Sequence, residues 1–222
     1  RDLGMRVKSY TDIQAFKKDT AEFLMASREK VWANNFILRL IKIAETKKHD
    51  TFNMVTVMNE KGVQMVAVRP PLGGPLVFSD GNKEAIPLIL RHFGRAVPPL
   101  SGLNGPKEIS DAAAKVWAQG RGTVPTLGKT LPFYVLTKVI PPSLVSGELR
   151  LATQNDVEWV ADQKVNFAIE TNLFESEKIR DVKKIAEEIE KEQIYLWMDQ
   201  GRPVLFLRAA DIEADGVHVT TV

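Results

Sequence analysis

Cysteine is absent from the 222 residues, which excludes disulfides, thiolate metal ligands and cysteine nucleophiles and is compatible with a reducing compartment. Histidine is scarce, at three, and no cluster of His with Asp or Glu has metal-ligand spacing. No apolar run approaches the roughly 20 residues that a membrane-crossing helix needs. The first residues hold no apolar core of a secretory signal, so a cytoplasmic location without membrane contact is expected. Charge of one sign is missing too. Thirty Lys and Arg against 28 Asp and Glu leave a net +2, too balanced to imply a nucleic-acid footprint. What is present, 44% hydrophobic and 26% charged residues, suits one large domain or two small ones, each with its own core. Met5 reads as a natural start, with Arg1 to Gly4 carrying little structural weight.

RVKSY (6–10) alternates as a short strand, and Thr11 and Asp12 offer cap oxygens to the helical run that follows. Ile13, Phe16, Phe23 and Leu24 share one face; Val31, Trp32, Phe36, Leu40, Ile41 and Ile43 continue past the weak helix formers Asn34 and Asn35. Two helices or one kinked helix both fit. FNMVTVMNEKG and VQMVAVRP make an antiparallel hairpin, with glycine where positive φ is expected. A short strand, PLVFSDG, leads into a helix from Asn82 to Phe93 with Pro87 near its middle. GRAVPPLSGLNGP reads as loop, and KEISDAAAKVWAQG as a helix with Ile109, Ala113, Val116 and Trp117 inward and Gly120 at its end. LPFYVLTKVI reads as a strong strand and PPSLVSG (141–147) as a linker.

Beyond the linker the order begins again. ELRLAT is a strand, QND supplies a cap at Asn155 or Asp156, and Val157 to Ile169 make a moderately amphipathic helix. A second helix opens at Ser176, with Ile179, Val182, Ile185, Ala186 and Ile189 on one face and Glu and Lys on the other. IYLWMDQG and RPVLFLRAAD form a hairpin, and GVHVTTV is the strand after it. Asn59, Gly62, Met65 and Arg69 are matched with Asp199, Gln200 or Gly201, Val204 and Arg208, with seven positions from Gly62 to Arg69 and from Gly201 to Arg208. A shared order with a period of about 140 residues suggests two copies of one fold.

This order resembles the opening of the GNAT (acyl-CoA N-acyltransferase) fold. The residues that carry the likeness are GELRLATQNDVEWVADQ, SEKIRDVKKIAEEIEKE, IYLWMDQGRPVLFLRAA and GVHVTTV. The resemblance implies an α/β (α+β) protein of two GNAT-like halves, each a mixed, mostly antiparallel sheet flanked by helices. A degenerate half would span 5–140, and 147–222 would be the incomplete N-terminal portion of an acetyltransferase domain. It further implies an N-acetyltransferase in which an amine attacks the thioester of acetyl-CoA within a ternary complex. The alternative is a non-catalytic GNAT-like interaction or regulatory module.

The family's signature, Q/R-x-x-G-x-G/A, holds the pyrophosphate of acetyl-CoA on backbone N–H groups at a helix N-terminus. In the first half the equivalent region, SDGNKEAIPLIL, lacks it; in the second, it is expected within roughly 15 residues after Val222. The resemblance places Thr220, Thr221 and Val222 beside the acetyl group, and Glu170, Phe174 and Trp197 at the site of a small-molecule or peptide amine. Glu175 and Glu177 join Glu170 in the expected loop between the helices, and Trp159 and Phe167 fit either the pocket or a core. His218 is the one ionisable group on the last strand, where a lone histidine is more often a surface or packing residue. PPLGGP reads as a turn, since two prolines remove N–H donors that a phosphate loop would use.

Overall fold

A computed structural model describes residues 4–26, 32–46, 52–71, 73–96, 98–119, 121–132, 138, 140–141, 145–171, 180–214 and 217–221. The protein is mixed α/β and divides into two compact units, Arg1–Thr137 and Lys138–Val222.

Unit 1 has a five-stranded sheet in the order β1 (Arg6–Tyr10), β2 (Asn53–Asn59), β3 (Gly62–Arg69), β4 (Leu76–Phe78) and β5 (Leu103–Asn104). The first four strands pair antiparallel, and β5 runs parallel to β4. Period-2 alternation puts apolar residues on both faces, so both must be covered. Helices α1 (Ile13–Ala26) and α2 (Trp32–Thr46) are separate, and they share a core with Tyr10, Met54, Val66, Val68 and Val77. Helices α3 (Ile86–Phe93) and α4 (Lys107–Ala118) bury Val55, Val57, Met65, Ala67 and Phe78 on the opposite face.

Local chemistry explains the element ends. The Ala15 N–H donates to Asp12 Oδ1 at 2.7 Å, capping α1. Asn34 is a weak helix former retained for its bonds. It is buried, donates to the Leu24 carbonyl and accepts the Asp80 N–H at 3.0 Å, tying α2 to the loop after β4. Pro87 does not interrupt a helix. A 3-10 turn, Lys83–Ala85, comes first, and Pro87 falls in the opening turn of α3, where its missing N–H costs nothing. The expected strand LPFYVLTKVI lies mostly outside the described residues, and Leu131, Pro132, Lys138 and Ile140 belong to no element.

Unit 2 has a three-stranded antiparallel sheet, β6 (Glu148–Leu151), β7 (Ile194–Asp199) and β8 (Arg202–Arg208), with α5 (Val157–Thr171) and α6 (Val182–Glu190). Ala152, Ile194, Leu196 and Phe206 pack against both helices. A 3-10 turn, Gln154–Asp156, leads into α5; its cap is Thr153, which Asp156 answers in a reciprocal capping box. Helix α6 begins at Val182 with Asp181 as its cap; the helix start expected at Ser176 lies outside the described residues.

The two hairpins share a feature of their register. In the first hairpin the pairing slips between Val57 and Met58, leaving Gln64 as the extra residue; in the second it slips between Trp197 and Met198, leaving Val204. Both bulges obey one offset of 140 residues. That offset corrects the glycine-to-glycine match read from the sequence, because Gly201 stands level with Lys61. The second hairpin turns on two left-handed residues, Gln200 (φ 47°) and Gly201 (φ 73°), while the first places its glycine one position later, at Gly62 (φ 102°). Arg208 accordingly takes the place of Val68, facing α5 and α6, rather than that of Arg69.

The shared order then stops. GVHVTTV was expected to add a further strand to the sheet of unit 2. Instead β10 (Val217–Thr221) pairs with β9 (Ala210–Ala214) as a separate two-stranded sheet. RPVLFLRAAD is likewise not one strand, since β8 ends at Arg208.

Candidate functional site

The residues expected to form a site do not converge. Glu170 lies in the last turns of α5, exposed, and not in an inter-helix loop. Helix α5 packs on the face of the sheet that carries Leu196; Trp197, the next residue of β7, is directed to the opposite face. There its indole N–H donates to the Ser146 carbonyl at 2.9 Å. Thr220 and Thr221 pair with Asp211 and Ala210, away from the sheet that was to present them. Phe174, Glu175, Glu177 and Val222 lie outside the described residues. Trp159 belongs to the core of unit 2, and Phe167 is half exposed.

In unit 1 the parallel pair of β4 and β5 leaves no open slot between its strands. Strands β4 and β5 pair over only two positions, Leu76 with Leu103 and Val77 with Asn104. Immediately beyond, a Cβ at Gly105 would stand 3.1 Å from the Phe78 carbonyl oxygen and 3.2 Å from Phe78 Cβ. The Asn82 side chain accepts the Glu84 N–H at 3.0 Å, and Glu84 sits in that first turn. A carboxylate and an internal cap occupy the place where a pyrophosphate would need free N–H donors. One string, Arg91–Ala96, does satisfy the family spacing, with Arg91, Gly94 and Ala96, and the sequence reading missed it. It falls at the C-terminal end of α3, where Gly94 has an ordinary φ of −62° and the Gly94 and Ala96 amides are spent on the carbonyls of Arg91 and Phe93.

The polar clusters are structural in geometry. Lys164 donates to Glu188 Oε2 and Arg208 to Glu188 Oε1, each at 3.0 Å. Burial pushes the Glu188 carboxyl up, but the hydrogen bond and charge of Lys164, with Arg208 beside it, hold it below its ordinary value. Arg150 grips Asp156 with both Nη atoms at 2.8 Å. That grip, with the Thr153 N–H and hydroxyl, overcomes partial burial and holds Asp156 far below the usual carboxylate range. Its counterpart in unit 1 is Lys8, paired with Asp19, on which the Tyr10 hydroxyl also bonds at 2.8 Å. Arg69, 3% exposed, donates to the carbonyls of Gly74, Pro98 and Pro99, stapling two proline-rich loops. Ser9 Oγ and His92 Nε2 stand 3.5 Å apart at an exposed position, at the long limit of a hydrogen bond. Among the described residues no group of three His, Asp or Glu is placed to hold a metal ion, and no helix is long and apolar enough to cross a membrane.

Asp156→Asn tests the reciprocal cap. It is expected to destabilise unit 2 by about 1–2 kcal/mol. Because the folded carboxyl titrates below its unfolded value, this stability is present above the unfolded value and lost as pH falls through the folded one. Denaturant midpoints measured down to pH 3 should therefore fall less steeply for the variant; parallel acid limbs would remove Asp156 from the account.

Comparison with protein-family models, curated proteins and solved structures finds no match to this chain.

Proposed function

We propose that the chain carries two copies of a GNAT-like unit, the first without a cofactor site, the second belonging to an N-acetyltransferase that moves acetyl from acetyl-CoA to an amine. The observation that supports this most is the repeated hairpin, with its bulge at the same place in both sheets. Element order before each hairpin, one strand and two helices, supports it further. The closed slot of unit 1 favours a non-catalytic role for that copy, so an interaction or regulatory module is the second reading.

The described residues offer acetyl-CoA no phosphate grip in either unit. Calorimetric titration of the 222-residue chain with acetyl-CoA is therefore expected to give weak or no binding. A tight, stoichiometric heat would mean that the site has been assigned to the wrong elements. The coding sequence beyond Val222 separates the two readings. Q/R-x-x-G-x-G/A within about 15 residues, at a strand-to-helix junction, supports the enzyme; its absence leaves the interaction module.

A further inference from the structure

The near-neutral charge of the whole chain hides a segregation. Between Ala85 and Gly147 stand seven Lys and Arg against two acidic residues, Glu108 and Asp111, so this stretch carries +5 and the rest of the chain −3. Both acids are already taken, Glu108 by Lys83 at 2.7 Å and Asp111 by Lys107 at 2.6 Å. From Ala112 to Gly147 the sequence has no Asp or Glu at all. The fold gathers the remaining cations where α3 and α4 end side by side. Arg91 and His92 lie in the last turn of α3 and Lys115 in the last turn of α4; Arg95 follows the end of α3, and all four are exposed. Arg121 joins the two helix ends. Its guanidinium stands 3.7 Å from the centre of the Trp117 ring and donates to the Trp117 carbonyl at 3.4 Å. The same group comes within 3.1 Å of where a Cβ on Gly94 would stand. Among the described residues no carboxylate lies within ion-pair distance of Arg91, Arg95, Lys115 or Arg121.

We propose that this end of unit 1 binds single-stranded nucleic acid, with the cations on its phosphates and the Arg121 plane against a base. Helix dipoles account for only part of the cluster, because each C-terminal end carries about half a negative charge. The permanent cations Arg91, Arg95, Lys115 and Arg121 exceed those two ends by about three charges. Like charges held together without a counter-charge repel one another, and a polyanion relieves that repulsion. The stack on Trp117 decides which polyanion. A guanidinium seated on an indole has lost much of its freedom before any ligand arrives; its edge forks onto a phosphate and its face takes an unstacked base. An acidic protein surface or an anionic lipid headgroup would use the edge alone. Duplex bases are already stacked, so a single strand is the form that uses both. The inference is independent of the acetyl-transfer reading, which survives if it fails.

Fluorescence anisotropy of a labelled oligo(dT) of about 12 nucleotides, titrated with the 222-residue chain over a salt series, tests it. The expected result is a Kd on the order of 10⁻⁵ M that weakens steeply as salt rises. Arg91→Ala with Arg95→Ala should lower the slope of log K against log salt by about 1.4, since each phosphate contact to a single strand contributes about 0.7. Arg121→Ala, which removes the stacking plane as well as a charge, should weaken binding about tenfold. Lys183→Ala with Lys184→Ala, exposed cations of α6, is the control and should leave affinity and slope unchanged. All these side chains are exposed, so the far-ultraviolet circular dichroism should not move. Absence of binding at low salt overturns the proposal, as does a control pair that costs as much as Arg91 and Arg95. Equal binding of the duplex, or equal competition by polyglutamate or by vesicles of anionic lipid, also overturns it, because charge alone would then explain the contact.

Discussion

Replacing Glu188 by alanine is expected to lower the stability of unit 2 by about 3 kcal/mol. Glu188 is 6% exposed, and each of its carboxylate oxygens takes one cation, Lys164 from α5 and Arg208 from β8. Removing the anion leaves two positive charges facing each other across the gap it filled. The figure stands at the low end for a broken buried pair because both cations reach water, with side chains 20% and 29% exposed. Glu188→Gln keeps the volume and should recover only part of the loss, since neutral hydrogen bonds are weaker than charge-assisted ones. A triple change, Glu188→Leu with Lys164→Met and Arg208→Leu, should return to within about 1–2 kcal/mol of the parent, because it removes the desolvation cost together with the pairing. Hydrogen exchange read on peptides from β6 to β8 localises the effect to unit 2. Equal protection in Glu188→Ala and the parent would show that the triad contributes nothing. The Glu188 carboxyl titrates below its ordinary value in the folded protein, so its contribution is full above the unfolded value and disappears as pH falls through the folded one.

This triad also marks where the sequence stops being legible. Periodicity placed the apolar face of α6 on Val182, Ile185, Ala186 and Ile189 correctly, but it assigned every Glu and Lys to the solvent side. Glu188 faces inward because β8 puts Arg208 where β3 has Val68, and such a substitution shows only once the register is known. Hairpins were readable because alternation and turn residues are local. Their exact alignment was not, because Gly62 and Gly201 serve different turns. β5 escaped notice because a two-residue parallel strand has no pattern of its own; β4 supplies its partner from across a helix. The candidate site was the least legible part. Glu170, Trp197 and Thr220 are grouped by the family resemblance alone, which expects the last strand to join the sheet of unit 2, and the chain instead pairs β9 with β10.

Gly81→Ala is expected to destabilise unit 1 by about 3 kcal/mol or more, the largest effect of any glycine change in the described part of that unit. Gly81 adopts φ +150°, a conformation that side-chain-bearing residues rarely take, and strain of this kind costs about 1–3 kcal/mol. A Cβ there would also lie 2.3 Å from the Gln64 carbonyl oxygen, so one chain must move. Neither moves freely. Asn82 N–H donates to that same Gln64 oxygen at 2.9 Å, Ser79 N–H to Val66 at 2.9 Å, and Asp80 N–H to Asn34 of α2 at 3.0 Å. Relief would break at least one of these bonds, adding about 1 kcal/mol. Gly122→Ala is the control, since φ is +63° there but nothing lies within 4 Å; about 1–2 kcal/mol is expected. Urea midpoints and exchange protection in β3 and β4 compare the two. Equal losses would mean that conformation alone sets the cost and the Gln64 contact is slack. A larger loss at Gly81 would show that this glycine serves close packing against the bulge of β3.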